Sequence, residues 1–220
     1  MAHIRRRRVL GEEPMHPIYL SVLRGLALVF VGVGMTASSS SAQASPKAFV
    51  SLCKGGACVD APTQSAERAQ VSIIAFYDFQ CPFCSRSTDT LRRLTESYPT
   101  QLQITWMHNP LPFHKEARIA AIASMAAARQ GAFSRMYDLL FDNQRSLTRD
   151  HLMGYAGRLG LDLTRFSSDL DAKELADFVD WSRAVSNAVG AAGTPAFLIN
   201  GRMLKGAQPL MRFQELIDEE

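Results

Sequence analysis

The feature that most limits what this chain can become is a strand that runs into a pair of cysteines. Val71 to Phe79 is a run dominated by Val, Ile, Phe and Tyr, apolar on both faces. Such a run reads as a buried central strand. It leads straight into Cys81-Pro82-Phe83-Cys84, and from Ser85 to Tyr98 apolar and polar residues recur with helical spacing. Pro82 suits the first turn of that helix, and Pro99 ends it.

The chemistry of this junction follows from the spacing. Two residues between the cysteines place both sulfurs on one helical turn, within reach of each other. At the helix N-terminus unpaired N–H groups and the helix dipole stabilise an anion. The thiol there, Cys81, is expected to fall from about 8.5 into the range of roughly 3.5–7.5. Cys84 lies one turn inside and is expected to be less exposed. Cys81 is thus the expected nucleophile and Cys84 the resolving thiol of an exchange in which a thiolate attacks a disulfide sulfur. Two other readings stay open. C-x-x-C is also half of a zinc site, with Cys53 and Cys58 as the remaining ligands, or it is a structural staple.

The start of the chain is unlike the rest. Arg5 to Arg8 form a basic cluster, Gly25 to Met35 an apolar run, and Ser38 to Ser41 lead into Ala42-Gln43-Ala44. A basic start, a short apolar stretch and an A-x-A site describe a secretory signal peptide cut after Ala44. Met15 is an alternative start, and an uncleaved anchor lengthened through Ile18 to Leu23 is the rival reading. The arginine pairs lie too far from the apolar run for a twin-arginine signal. Residues 1–44 hold five arginines and two glutamates, which accounts for the whole net charge of +3; the other 176 residues balance 19 basic against 19 acidic side chains. A neutral mature domain offers no electrostatic reason to expect nucleic acid or an anionic membrane as partner. All four cysteines follow the cut, and an even number in an exported chain favours disulfides.

The domain organisation follows in order. Residues 45–70 are small, polar and irregular, with a short strand at Ala48 to Leu52 and a loop in which Lys54-Gly55-Gly56-Ala57 lets Cys53 and Cys58 meet, in a structural bridge or, on the rival reading, as a second exchange-active pair or shuttle to Cys81. Residues 71–114 carry the buried strand, the redox helix and a second strand at Leu102 to Met107. Residues 115–190 form a helical block, with helices at Lys115 to Gln130, Phe133 to Asn143, Thr148 to Leu159, Leu163 to Leu170 and Ala172 to Gly190. Residues 191–220 return to strands at Ala196 to Asn200 and Arg202 to Lys205 around an Asn200-Gly201 hairpin turn, then close on a helix at Pro209 to Glu219. The methionines of the helical block read as core. His108, His114 and His151 read as surface or loop residues.

Three segments carry a resemblance. Phe76-Tyr77-Asp78-Phe79-Gln80-Cys81-Pro82-Phe83-Cys84, Asn109-Pro110-Leu111-Pro112-Phe113-His114 and Gly193-Thr194-Pro195-Ala196-Phe197-Leu198-Ile199-Asn200-Gly201 resemble the signatures of the DsbA-like thioredoxin-fold oxidoreductases, across roughly residues 70–219. The resemblance implies an α/β thioredoxin fold, a small central mixed sheet with an inserted helical block. It implies a protein-disulfide oxidoreductase whose redox centre is the Cys81–Cys84 disulfide, with no further cofactor and no metal. It implies a cis bond before Pro195, with Thr194 and Pro195 beside the sulfurs, so that Thr194, Pro195, Pro82 and Phe83 receive the substrate chain.

The expected partners are reduced or misoxidised proteins in the periplasm or another extracytoplasmic space, together with a membrane thiol oxidase or reductase. The protein is expected to be a monomer. Donation of disulfides is the favoured direction. A reductase or isomerase, with which Thr194 is compatible, and a non-catalytic chaperone-like module are the alternatives. One departure stands out: the buried acid often found six residues before the nucleophile is Ala75 here. Asp78 is either a substitute proton relay or a solvated acid at a strand end. Phe83 offers the thiolate neither a hydrogen bond nor a charge.

Overall fold

A computed structural model describes residues 47–54, 57–64 and 69–220; the proposed leader and its cleavage site lie outside them. The centre is the expected strand, β3 (Val71–Tyr77), which pairs in parallel with β4 (Leu102–His108) and antiparallel with β5 (Ala196–Ile199). Because β3 and β4 are parallel, a crossover must join them. That crossover is α1 (Pro82–Ser97), which takes in Pro82 at its first turn and so begins three residues before the periodicity starts.

β6 (Arg202–Lys205) forms a hairpin with β5. Its turn has Asn200 at φ 42° and Gly201 at φ 88°, the left-handed pair that an Asn-Gly hairpin turn needs. The sheet order is completed by β1 (Lys47–Lys54) and β2 (Ala57–Gln64), giving β1-β2-β4-β3-β5-β6. Here the expectation of one short strand and a loop over 45–70 is corrected. Both segments are strands of eight residues, paired from Lys47↔Gln64 to Lys54↔Ala57. β2 lacks the bulky alternation that marks a strand and holds Pro62. Only Thr63 and Gln64 pair with β4, so the proline sits where it removes no bond to the central sheet.

Side-chain alternation sorts the sheet into two faces. Val71, Ile73 and Ala75 of β3, Leu102 and Ile104 of β4, and Phe197 and Ile199 of β5 face one way. They pack on Leu91 and Leu94 of α1 and on Phe213, Leu216 and Ile217 of α7 (Leu210–Asp218). Phe76, Met107 and Ala196 face the other way, toward the inserted helices. These are α2 (Ala117–Ala128), α3 (Phe133–Asp142), α4 (Arg149–Arg158), α5 (Leu163–Leu170) and α6 (Lys173–Ala188). α2 is buried at Ala120, Ala123, Ala126 and Ala127 alike, and its small side chains let the neighbouring helices approach it closely. Met125 and Met136 are core residues, as expected. The fold is thus a thioredoxin-type mixed sheet with a helical block inserted after β4.

Candidate active site

Cys81 is the N-cap residue of α1, in extended conformation, and Pro82 occupies the first helical position, where its missing N–H costs nothing. The Cys81 N–H donates to the Asp78 carbonyl at 3.1 Å, closing the turn that connects strand to helix. The Cys81 carbonyl accepts from the N–H groups of Cys84 at 3.1 Å and Ser85 at 3.3 Å. Both cysteines are free thiols here. They are about equally buried, at 4% and 3% exposure, so the expected contrast in exposure between them is absent. The contrast lies in their chemistry instead.

The Cys81 thiol is lowered from 9.0 to about 5, chiefly because the Cys84 thiol hydrogen-bonds a thiolate there; the Thr194 side chain and the N–H groups of Cys84 and Phe83 add to this against the cost of desolvation. Burial pushes the Cys84 thiol far above its ordinary range, and its hydrogen bond and charge interaction with Cys81 push it further. One sulfur is prepared to be an anion and the other to keep its proton, which is the asymmetry that ordered exchange requires.

The loop before β5 covers the pair. The Thr194–Pro195 bond is cis, as the resemblance implies. The Cys81 thiol donates to the Thr194 carbonyl at 3.3 Å. The Thr194 hydroxyl is buried without a hydrogen-bond partner, and is placed to donate to a Cys81 thiolate. Phe83 is 52% exposed beside the cysteines, with the Arg86 guanidinium carbon 4.3 Å from its ring centroid. The helix itself therefore brings a cation to the phenyl ring. Phe113, 73% exposed and in edge contact with the His114 ring, is a second exposed aromatic side chain.

Asp78 is corrected from a possible solvated acid to a buried one, at 2% exposure. Its Oδ1 accepts from the Gln80 N–H at 2.7 Å. Its Oδ2 accepts from the Leu111 N–H at 2.8 Å and sits 2.7 Å from the His114 Nδ1, which carries the proton when the carboxylate is ionised. What reaches the Cys84 sulfur is the Asp78 backbone N–H, at 3.5 Å. The carboxylate ties the redox turn to the segment 111–114, and that tie explains how His114, expected to be an uninvolved loop residue, enters the site.

His108 is also corrected: it is fully buried on β4, among Tyr77, Phe79 and Phe178, and burial lowers it to about 3. His151 is exposed on α4 as expected, 2.8 Å from the Thr148 hydroxyl. Ala75 lies on the opposite face, in the core formed with α1 and α7. Cys53 and Cys58 face each other across β1 and β2 in backbone register. Among the described residues no three His, Cys, Asp or Glu side chains gather as a metal site.

Known proteins place this architecture. The family model described as thioredoxin matches residues 60–219. Solved structures of similar fold include a thioredoxin-like oxidoreductase from Silicibacter pomeroyi, at TM-score 0.67 and 23% identity over 72% of this chain and 91% of that one. They also include the thiol-disulfide exchange protein alpha-DsbA2 from Wolbachia pipientis, at TM-score 0.66 and 17% identity over 72% and 86%. DsbA2 of Pseudomonas aeruginosa gives TM-score 0.60 and 24% identity over 71% and 92%. Among curated proteins, the chain is 40% identical over 141 residues to a Na(+)/H(+) antiporter, NhaA, of Herminiimonas arsenicoxydans, matching 64% of this chain and 22% of the antiporter. It thus spans about a fifth of the length of the curated relatives it matches. Among the described residues no helix is long and apolar enough to cross a membrane.

Proposed function

The chain belongs to the thioredoxin family, and from that premise we propose that it is an extracytoplasmic protein thiol–disulfide oxidoreductase that donates its Cys81–Cys84 disulfide to reduced proteins. The observation that carries this reading is the opposed tuning of the two sulfurs, Cys81 toward the thiolate and Cys84 toward the thiol.

In the oxidised protein a substrate thiolate attacks Cys81 Sγ. The Cys81–Cys84 bond breaks, a substrate–Cys81 disulfide forms, and Cys84 leaves and takes up a proton. A second substrate thiolate then attacks the substrate sulfur of that mixed disulfide, and Cys81 leaves as the stabilised thiolate. Two electrons pass from substrate to protein, and the substrate keeps a disulfide. A membrane thiol oxidase is the class of partner that would take those electrons on. Thr194 and Pro195 line the approach to Cys81, and Pro82 and Phe83 present the exposed first turn of α1 to the incoming chain. Stabilising the Cys81 thiolate favours the reduced protein and so favours donation over reduction, which supports the oxidase over a reductase or isomerase.

The test separates the two thiols. Cys81→Ser should abolish dithiol oxidation, whereas Cys84→Ala should accumulate mixed disulfides with substrate proteins, visible on non-reducing gels. A Cys84→Ala variant that traps nothing, beside a Cys81 that titrates as an ordinary thiol, would favour a structural staple and overturn the assignment.

A further inference from the structure

Gln144 lies 63 residues from Cys81 in sequence, on the turn between α3 and α4, yet its side-chain amide reaches the redox turn. Nε2 donates to the Phe79 carbonyl at 2.7 Å and to the Cys81 carbonyl at 2.9 Å. One NH2 group therefore holds the two carbonyls that flank Gln80. The turn that carries Gln144 is itself fixed. Asn143 Nδ2 donates to the Leu139 carbonyl at 2.8 Å, the Ser146 N–H closes onto the Asn143 carbonyl at 2.8 Å, and the Tyr155 hydroxyl donates to the Ser146 carbonyl at 2.8 Å. Gln80 is secured from the other side, where its Oε1 accepts from the Glu116 N–H at 2.7 Å.

We propose that Gln144 is a positioning residue for Cys81, through which the helical insertion sets where the attacking sulfur sits. The physical reason is geometric. Two carbonyls held by one planar amide fix the peptide planes on either side of Cys81's approach to the helix, and hence the direction of its Cα–Cβ bond. The sulfur must lie against the Cys84 thiol and the N–H groups of Cys84 and Phe83 to be stabilised as an anion, and such bonds weaken steeply with distance and angle. The Cys81 carbonyl already accepts from the first turn of α1, so the amide of Gln144 also tethers that turn to the insertion. Without this tether, the insertion would hold the strand-to-helix junction through the Glu116 N–H on the Gln80 side chain and through ring contacts of Phe79 with Tyr137 and Phe141, none of which grips the carbonyls of Phe79 and Cys81.

This rests on Cys81 being the attacking thiol, and the test distinguishes the two. Alkylation of the reduced protein by iodoacetamide is followed from pH 3.5 to 9 in wild type, Gln144→Ala, Gln144→Met and Arg118→Ala, with urea unfolding of each. Gln144→Met keeps the length and removes the donor. Arg118→Ala removes the Arg118–Asp180 pair elsewhere in the insertion. Both Gln144 variants should move the Cys81 midpoint up by about half a pH unit or more, a threefold or greater loss of thiolate below the midpoint. Arg118→Ala should leave it in place even if it lowers stability. Folded Gln144 variants with the wild-type midpoint, or an equal shift in Arg118→Ala, would overturn the proposal. An ordinary midpoint in wild type would instead overturn the functional reading beneath it.

Discussion

Lowering the pH through the Cys81 titration should remove a measurable part of the stability of the reduced protein and leave the oxidised protein without that loss. The Cys81 thiol stands at about 5 in the folded chain against 9.0 for an unperturbed thiol. At pH 7 the folded dithiol state then gains about 2.7 kcal/mol relative to its unfolded state, two pH units of differential binding. Because the folded value is depressed, the gain is complete above pH 9, shrinks as the pH falls, and is gone below 5. The disulfide form has no titrating thiol and gains nothing. Closing the cycle, the couple is about 60 mV more oxidising at pH 7 than one with an ordinary thiol.

Two assays read this. Urea unfolding of reduced and oxidised protein between pH 4 and 7 should show the difference between them changing by about 2.7 kcal/mol. The standard potential of the protein couple, read by equilibration with glutathione, should fall by about 30 mV per pH unit above pH 5, where reduction takes up one proton, and by about 60 mV per unit below it. A slope of about 60 mV carried without a break to pH 7 would refute the thiolate assignment.

Thr194→Val removes a buried hydroxyl placed to donate to the Cys81 thiolate, so the alkylation midpoint should rise, and an unchanged midpoint would show that the hydroxyl makes no such bond. Asp78→Asn cannot accept from both the Gln80 and Leu111 N–H groups and should cost about 1–3 kcal/mol in urea unfolding; a separate slowing of mixed-disulfide resolution would assign the carboxylate a proton-relay role. His108, lowered to about 3 by burial, must take up a proton on unfolding below its ordinary 6.5. Stability should therefore fall by about 2 kcal/mol from neutral pH to pH 5 on its account, a slope that His108→Phe should lack. Cys53 and Cys58 should be joined in the oxidised protein, since directly opposed residues of an antiparallel pair lie within the span of a disulfide. Peptide mapping would reveal the bridge, and replacing both with Ala should leave exchange intact.

Local pattern alone reaches the redox helix, the buried strand before it, the helices of the insertion and the Asn200-Gly201 hairpin. Each is encoded by neighbours within a turn or two: apolar runs, helical spacing, a proline at a helix start. The cysteine pair and the Thr194-Pro195 loop were legible because each is a short signature, and the structure brings them into contact through the antiparallel pairing of β3 with β5. The second strand of the N-terminal hairpin was not legible, because β2 is weakly patterned and gains its partner only from register with β1.

The tertiary structure decided the rest, wherever a polar side chain's role depends on what lies across from it. Asp78 and His108 are an acid and a histidine at strand ends, where solvent is the ordinary neighbour. The 111–114 segment buries the one, and the aromatic side chains of β3 and α6 bury the other. Gln144 looks like any polar turn residue until folding sets its amide against Phe79 and Cys81. Periodicity records which face of an element is apolar, but contacts closed over 30 to 80 residues leave no mark on the local sequence at either end.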